Sequence, residues 1–153
     1  MDAPDGQAIR QQLTDDLKQA MRDKDEVRRD TVRNIRGSIT NREVDSGAEL
    51  DGAAILQVIR GLSKQRTDSI GQYEEGGRKD LADRERAEQA ILEAYLPAAP
   101  NAADIDAAVT GTIDELGAQG IKDMGRVMKA ALEKLGAAAD GKAVSAAVRA
   151  KLQ

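Results

Sequence analysis

The sequence predicts an all-α protein, and three observations carry that prediction. Aromatic residues make up 1% of the chain, with no Phe and no Trp, so a core must be assembled from Leu, Ile, Val, Ala and Met. Leu, Ala and Met favour helices, whereas sheets recruit more aromatic and β-branched side chains. Apolar residues also recur at helical spacing in segment after segment. Finally, Ile91-Leu92-Glu93-Ala94-Tyr95-Leu96-Pro97, followed by Ala98-Ala99-Pro100, closes a long helix with two nearby prolines. Proline removes a backbone donor and clashes with the preceding turn, so a helix must end there. The expected architecture is an N-terminal antiparallel helical bundle over residues 1–97, followed by a small three-helix domain over 98–153.

The first helix begins between Asp5 and Ala8 with Asp5 as cap, and Ile9, Leu13, Leu17, Ala20 and Met21 form its apolar stripe. Asp23-Lys24-Asp25 is a polar turn into a second helix that reaches Val44 and buries Val27, Val32, Ile35 and Ile39. So short a turn makes the two helices antiparallel neighbours. Ser46-Gly47 and Asp51-Gly52 bracket a loop before a third helix carrying Ile55, Val58, Ile59, Leu62 and Ile70 toward Tyr73. Gly76-Gly77 stops it. The fourth helix spans Arg78 to Leu96, with Leu81, Glu85, Glu88, Ile91, Leu92 and Tyr95 on one side.

Beyond the prolines, Asn101 with Asp104 has the spacing of a capping box for a fifth helix, which Gly117 ends. Its face is Ile105, Val109, Ile113 and Leu116. Asp123 is the expected cap of a sixth helix bearing Met124, Val127, Met128, Ala131 and Leu135, stopped by Gly136. Ala137-Ala138-Ala139 reads as helix or tight loop, and Asp140 caps a last helix with Val144, Val148 and Leu152 inward.

Composition excludes several chemistries. The absence of Cys removes disulfides, thiolate zinc and a cysteine nucleophile, and the absence of His removes a Ser-His triad and imidazole-bound metal. No metal site and no cofactor is expected, and no catalytic constellation is visible. No apolar run is long enough for a membrane span, and Met1-Asp2-Ala3-Pro4 lacks the basic-then-apolar pattern of a signal peptide. A soluble, cytoplasmic protein is the expectation. The net charge of −4 falls entirely before Pro97, and the remainder carries 7 basic and 7 acidic residues. Polyanion binding therefore needs a local patch, and DNA is not an expected partner.

Two patches qualify. Arg29, Arg33 and Arg36 fall at i, i+4 and i+7 of the second helix, flanked by Arg28, and can follow a phosphate backbone or pair with Asp25, Glu26 and Asp30. Lys122, Arg126, Lys129 and Lys142 cluster around the sixth helix, where acids are sparse, and form the better RNA candidate. Glu85 and Glu88, at i and i+3, either offer a carboxylate site or pair with Lys64, Arg66 or Arg78 in a polar helix–helix seam. Ion pairing is the simpler reading, since basic partners abound and no His completes a ligand set. Gly76-Gly77-Arg78-Lys79 lacks Walker spacing, and Ser63-Lys64 with Ser69 lacks an oxyanion hole and a second positioned serine.

Lys64-Gln65-Arg66, Asp68-Ser69, Tyr73, Arg78, Asp80-Leu81, Glu85, Glu88, Ile91-Leu92 and Tyr95-Leu96-Pro97 together resemble the signature of the YqeY (GatB/YqeY) family. Asp123-Met124-Gly125-Arg126-Val127-Met128 and Ala139-Asp140-Gly141 resemble its second signature. The likeness runs from about Ile9 to Leu152. The family is similar to the tail of the B subunit of tRNA-dependent amidotransferase, a carbon–nitrogen ligase that uses glutamine as amido donor. The resemblance implies a helical bundle plus a three-helix domain that helps hold tRNA. It implies tRNA, and amidotransferase or other translation proteins, as partners. The kinase-like cradle and the glutaminase of that complex have no counterpart here, so the expected role is accessory, with a protein-interaction adaptor as the alternative. Tyr95, Leu96 and Pro97 are expected to pack the two modules together. Two departures stand out: Gly136 falls one position early, with Ala137-Ala138 where the family places a Gly and a basic residue, and Ala98-Ala99-Pro100 replaces a Gln and a large apolar residue.

Overall fold

A computed structural model describes residues 4–136 and 138–153, and among these the chain is helical without a strand. It divides into two compact units, Met1–Leu96 and Pro97–Gln153.

In the first unit, Asp5 accepts a hydrogen bond from the Gln7 N–H and opens α1 (Gly6–Arg22). Leu13 and Ala20 are buried on its inner face, with Ile9 and Leu17 at the edge of the same core. Met21 was expected on that face but is 54% exposed. It follows Ala20 by one residue and is turned about 100° from it around the helix. Asp25 accepts from the Arg28 N–H and caps α2 (Glu26–Ser46), which buries Thr31, Val32, Ile35 and Ile39. The two helices run in opposite directions. Arg28 near the start of α2 meets Asp16 at 3.2 Å, and Glu43 near its end meets Arg10 at 2.8 Å. Glu43 also accepts from the Leu50 N–H at 2.8 Å, tying down the loop that leads to α3.

Asp51 caps α3 (Gly52–Glu75), the most heavily buried helix of the unit, which contributes Ile55, Leu56, Val58, Ile59, Leu62 and Ser63. Gly77, in the left-handed region at φ 71°, follows its end. Next, α4 (Lys79–Glu93) packs chiefly on α3. It stops three residues short of the expected Leu96. The Tyr95 N–H bonds to Leu92 O and the Leu96 N–H to Glu93 O, which tightens the chain into a turn before Pro97. The fully inward positions of α4 are Ala82 and Leu92, while Leu81, Ile91 and Tyr95 are only part-buried.

In the second unit, Asn101 accepts from the Asp104 N–H and Asp104 accepts from the Asn101 N–H, a complete capping box on α5 (Ala102–Leu116). Left-handed Gly117 ends that helix at φ 62°. A 3-10 turn (Ile121–Asp123) leads into α6 (Met124–Leu135), and Asp140 caps α7 (Gly141–Leu152) by accepting from the Lys142 N–H. Each of these three helices packs on the other two. Their shared core is Ile105, Val109, Val127, Ala131, Val144, Val148 and Leu152. Between α6 and α7, Ala138 and Ala139 form a turn, while Ala137 lies outside the described residues, as does the segment Met1-Asp2-Ala3 at the start. No helix is long and apolar enough to cross a membrane.

Candidate functional site

Burial of Val127 and Ala131 orients α6, and that orientation decides where its cations go. Arg126 and Lys129 are exposed on the side of α6 turned from the core, and Lys122 is exposed in the 3-10 turn that precedes it. Arg126 is held by Asp123 at 3.0 Å, while Lys122 and Lys129 meet no carboxylate among the described residues. The expected role of Asp123 as cap of α6 is corrected. Its side chain makes no cap bond and instead accepts from the Gln119 N–H at 3.0 Å, bracing the loop behind the 3-10 turn. That backbone hydrogen bond, and then the Arg126 guanidinium, hold the Asp123 carboxyl below the usual carboxylate range.

Lys142 is exposed in the first turn of α7. Elsewhere in the unit Lys134 pairs with Glu115 and Lys151 with Asp106, each at 2.9 Å. Arg149, which spacing arguments passed over, is exposed without a carboxylate partner among the described residues.

On α2 the three arginines divide. Arg29 bonds Asp30 at 2.9 Å and is part-buried, so one cation of the stripe is already neutralised. That bond lowers the Asp30 carboxyl, with further help from the nearby positive charges of Arg33 and Arg84. Arg33 and Arg36 are exposed and meet no carboxylate among the described residues. Arg28 turns the other way, onto Asp16.

The polar seam exists with a different membership. Arg66 of α3 lies 3.0 Å from Glu88 and 3.4 Å from Glu85 of α4, with all three side chains under 20% exposed. Arg84 adds a second cation at 3.6 Å from Glu88. Lys64 does not join: it is exposed and unpaired among the described residues. Arg78 does not join either, since it pairs with Asp80 at 3.2 Å at the solvent-exposed start of α4. In their place Gln89 donates to Ser63 O at 2.9 Å and to the Thr67 hydroxyl at 2.7 Å, and the Ser63 hydroxyl donates to Glu93. A helix-period count that marks only apolar and charged residues misses Ser63, Thr67 and Gln89. With Arg66 between them, Glu85 and Glu88 are ion-pair partners, and no group of three or more metal-ligating side chains forms among the described residues.

Tyr95 and Leu96 pack against the core of the first unit, and Pro97 is exposed. The Tyr95 hydroxyl donates to Asp16, whose other oxygen accepts from Gln12 at 2.8 Å and from Arg28 at 3.2 Å. Burial, then the hydrogen bond to Asp16, raises the Tyr95 phenol above its ordinary range.

Comparison with known proteins adds the following. A family model described as Yqey-like protein matches residues 10–152. The chain is similar to proteins named Altered inheritance of mitochondria protein 41, mitochondrial. The Lachancea thermotolerans protein is 40% identical over 107 residues, covering 68% of this chain and 57% of the relative. That of Kluyveromyces lactis is 38% identical over 107 residues, covering 68% and 58%. That of Saccharomyces cerevisiae is 34% identical over 95 residues, covering 61% and 51%. The chain thus spans little more than half the length of the relatives it matches. Their names overturn the expectation of a cytoplasmic protein, because these relatives are named as mitochondrial.

Proposed function

The chain belongs to the YqeY family, and on that premise we propose that it is a tRNA-binding accessory protein related to glutamine-dependent amidation of misacylated tRNA. The supporting observation is the group of exposed cations Lys122, Arg126 and Lys129 along the 3-10 turn and α6, two of which meet no carboxylate among the described residues. In this reading the four helices of the first unit act as a bundle that supports a three-helix RNA-contacting module. Catalysis belongs to a larger complex, in keeping with a sequence that has neither His nor Cys. The names of the matched relatives specify altered inheritance of mitochondria and no reaction.

Three phosphate contacts give log K against log salt a slope of about −2 to −3. Fluorescence anisotropy of labelled bulk tRNA should therefore register binding at about 50 mM salt and its steep loss by about 200 mM. Arg126→Glu combined with Lys129→Glu should weaken binding and flatten the slope, whereas Arg33→Glu with Arg36→Glu should leave both nearer the parent values. Absence of binding at the low-salt end would refute the proposal and favour a protein adaptor.

A further inference from the structure

An open groove of about 710 Å³ in the first unit is lined by α1, the end of α4 with Tyr95, and Arg28 of α2. Its volume falls within the range of small-molecule sites. Ile9 and Ile91 form apolar walls, and Ala8, Ala90 and Ala94 leave them uncovered because their side chains end at Cβ. Side chains of α1 and of the end of α4 line the two sides of this open space.

The polar end of the groove is Gln12, Asp16, Arg28 and Tyr95. Both oxygens of Asp16 are engaged, one by Gln12 and Arg28 and the other by the Tyr95 hydroxyl. Both oxygens of Asp16 are thus held by protein donors, and its charge is balanced by Arg28. A ligand carrying a net charge of either sign would unbalance that pair. Hydrogen-bonding capacity remains on both sides. Arg28 uses only Nη2 toward a protein acceptor, and the Gln12 Oε1 accepts nothing, among the described residues. One free donor set beside one free acceptor, next to apolar walls, matches a primary or secondary amide on an apolar body.

We propose that this groove binds a small uncharged carboxamide, its carbonyl accepting from Arg28, its N–H donating to Gln12, and its apolar body lying between Ile9 and Ile91.

Three probes with the same apolar body separate the chemistry: naphthylacetamide, naphthylacetate and naphthylmethylamine. Each is titrated into the full ¹⁵N-labelled chain, with amide shifts followed at Ile9, Ala90 and Ile91. The amide should bind at least tenfold more tightly than either charged analogue. Arg28→Gln should bring its affinity down to theirs. Ala90→Leu, a helix-compatible change at an exposed position, should abolish binding of all three with an unchanged circular dichroism spectrum. No shift at these amides up to about 10 mM probe, the weak end of measurable affinity, would overturn the proposal. So would equal binding of the charged analogues, or amide binding that survives Ala90→Leu.

Discussion

The Tyr95 hydroxyl donates a hydrogen bond to the carboxylate of Asp16, 79 positions earlier in the chain, and so joins the turn after α4 to the middle of α1. Leu13 of α1 and Leu92 of α4 share one buried core against which Tyr95 packs, and this bond adds a polar tie to that apolar contact. Hydrogen bonds to a charged acceptor contribute about 1.5–3 kcal/mol. Tyr95→Phe keeps the ring against the core and deletes only the bond, so urea denaturation should show a loss in that range. Tyr95→Ala, which also removes the ring, should cost on the order of 3 kcal/mol or more. An unchanged midpoint for both variants would show that the contact contributes nothing.

The same bond predicts a response to alkali. Burial and the bond to Asp16 raise the Tyr95 phenol above the ordinary tyrosine value of about 10. The folded chain therefore holds this proton more tightly than the unfolded chain does. The corresponding stability is fully present below about pH 10 and is lost as pH rises beyond that point. Comparing the parent with Tyr95→Phe removes the contribution of other groups: their stability gap should be constant up to about pH 10 and shrink above it. Tyrosinate absorbance that disappears in Tyr95→Phe should develop only in that alkaline range.

Two glycines of α3 should respond oppositely to alanine. At Gly61 an added Cβ meets nothing within 4 Å, so Gly61→Ala should gain about 0.5–1 kcal/mol from helix propensity. At Gly52 the same atom would run into the Pro4 carbonyl and approach Gly6 N at 3.1 Å. Gly52→Ala should therefore destabilise the first unit or displace the residues before α1. Thermal melts and amide shifts of Gly6 and Gln7 test both expectations.

Arg66 stands between Glu85 and Glu88 with little access to water. Arg66→Met should leave two carboxylates of like charge facing an apolar side chain, at a cost of about 1–3 kcal/mol. Adding Glu88→Gln should restore part of that loss, and the double-mutant cycle reports the coupling. A strictly additive result would show that the three groups do not interact.

In the second unit, Asn101→Ala removes the acceptor for the Asp104 N–H. It should cost about 1 kcal/mol, as helix N-caps do. Hydrogen exchange at the first turn of α5 should accelerate in the same variant.

What the amino-acid sequence determined by itself was local. Asp5, Asn101, Asp140 and the glycines after α2, α3, α5 and α6 mark helix ends because caps and left-handed turns depend on residues only a few positions apart. The buried stripe of α7 follows from period alone, whereas on α2 Val32, Ile35 and Ile39 are buried as expected but Val27 is only part-buried and Thr31 joins the core. The partners of polar side chains were decided by tertiary structure. Whether Arg66 or Lys64 enters the seam, whether Asp123 caps a helix or braces Gln119, and whether Asp16 meets Tyr95 all depend on rotations and distances between helices. A pattern of period 3.6 fixes which side of a helix is apolar. It does not specify which of several charged residues on neighbouring helices come within about 3 Å of one another. Packing alone selects those pairs, and packing likewise leaves open the alanine-rimmed groove between α1 and α4.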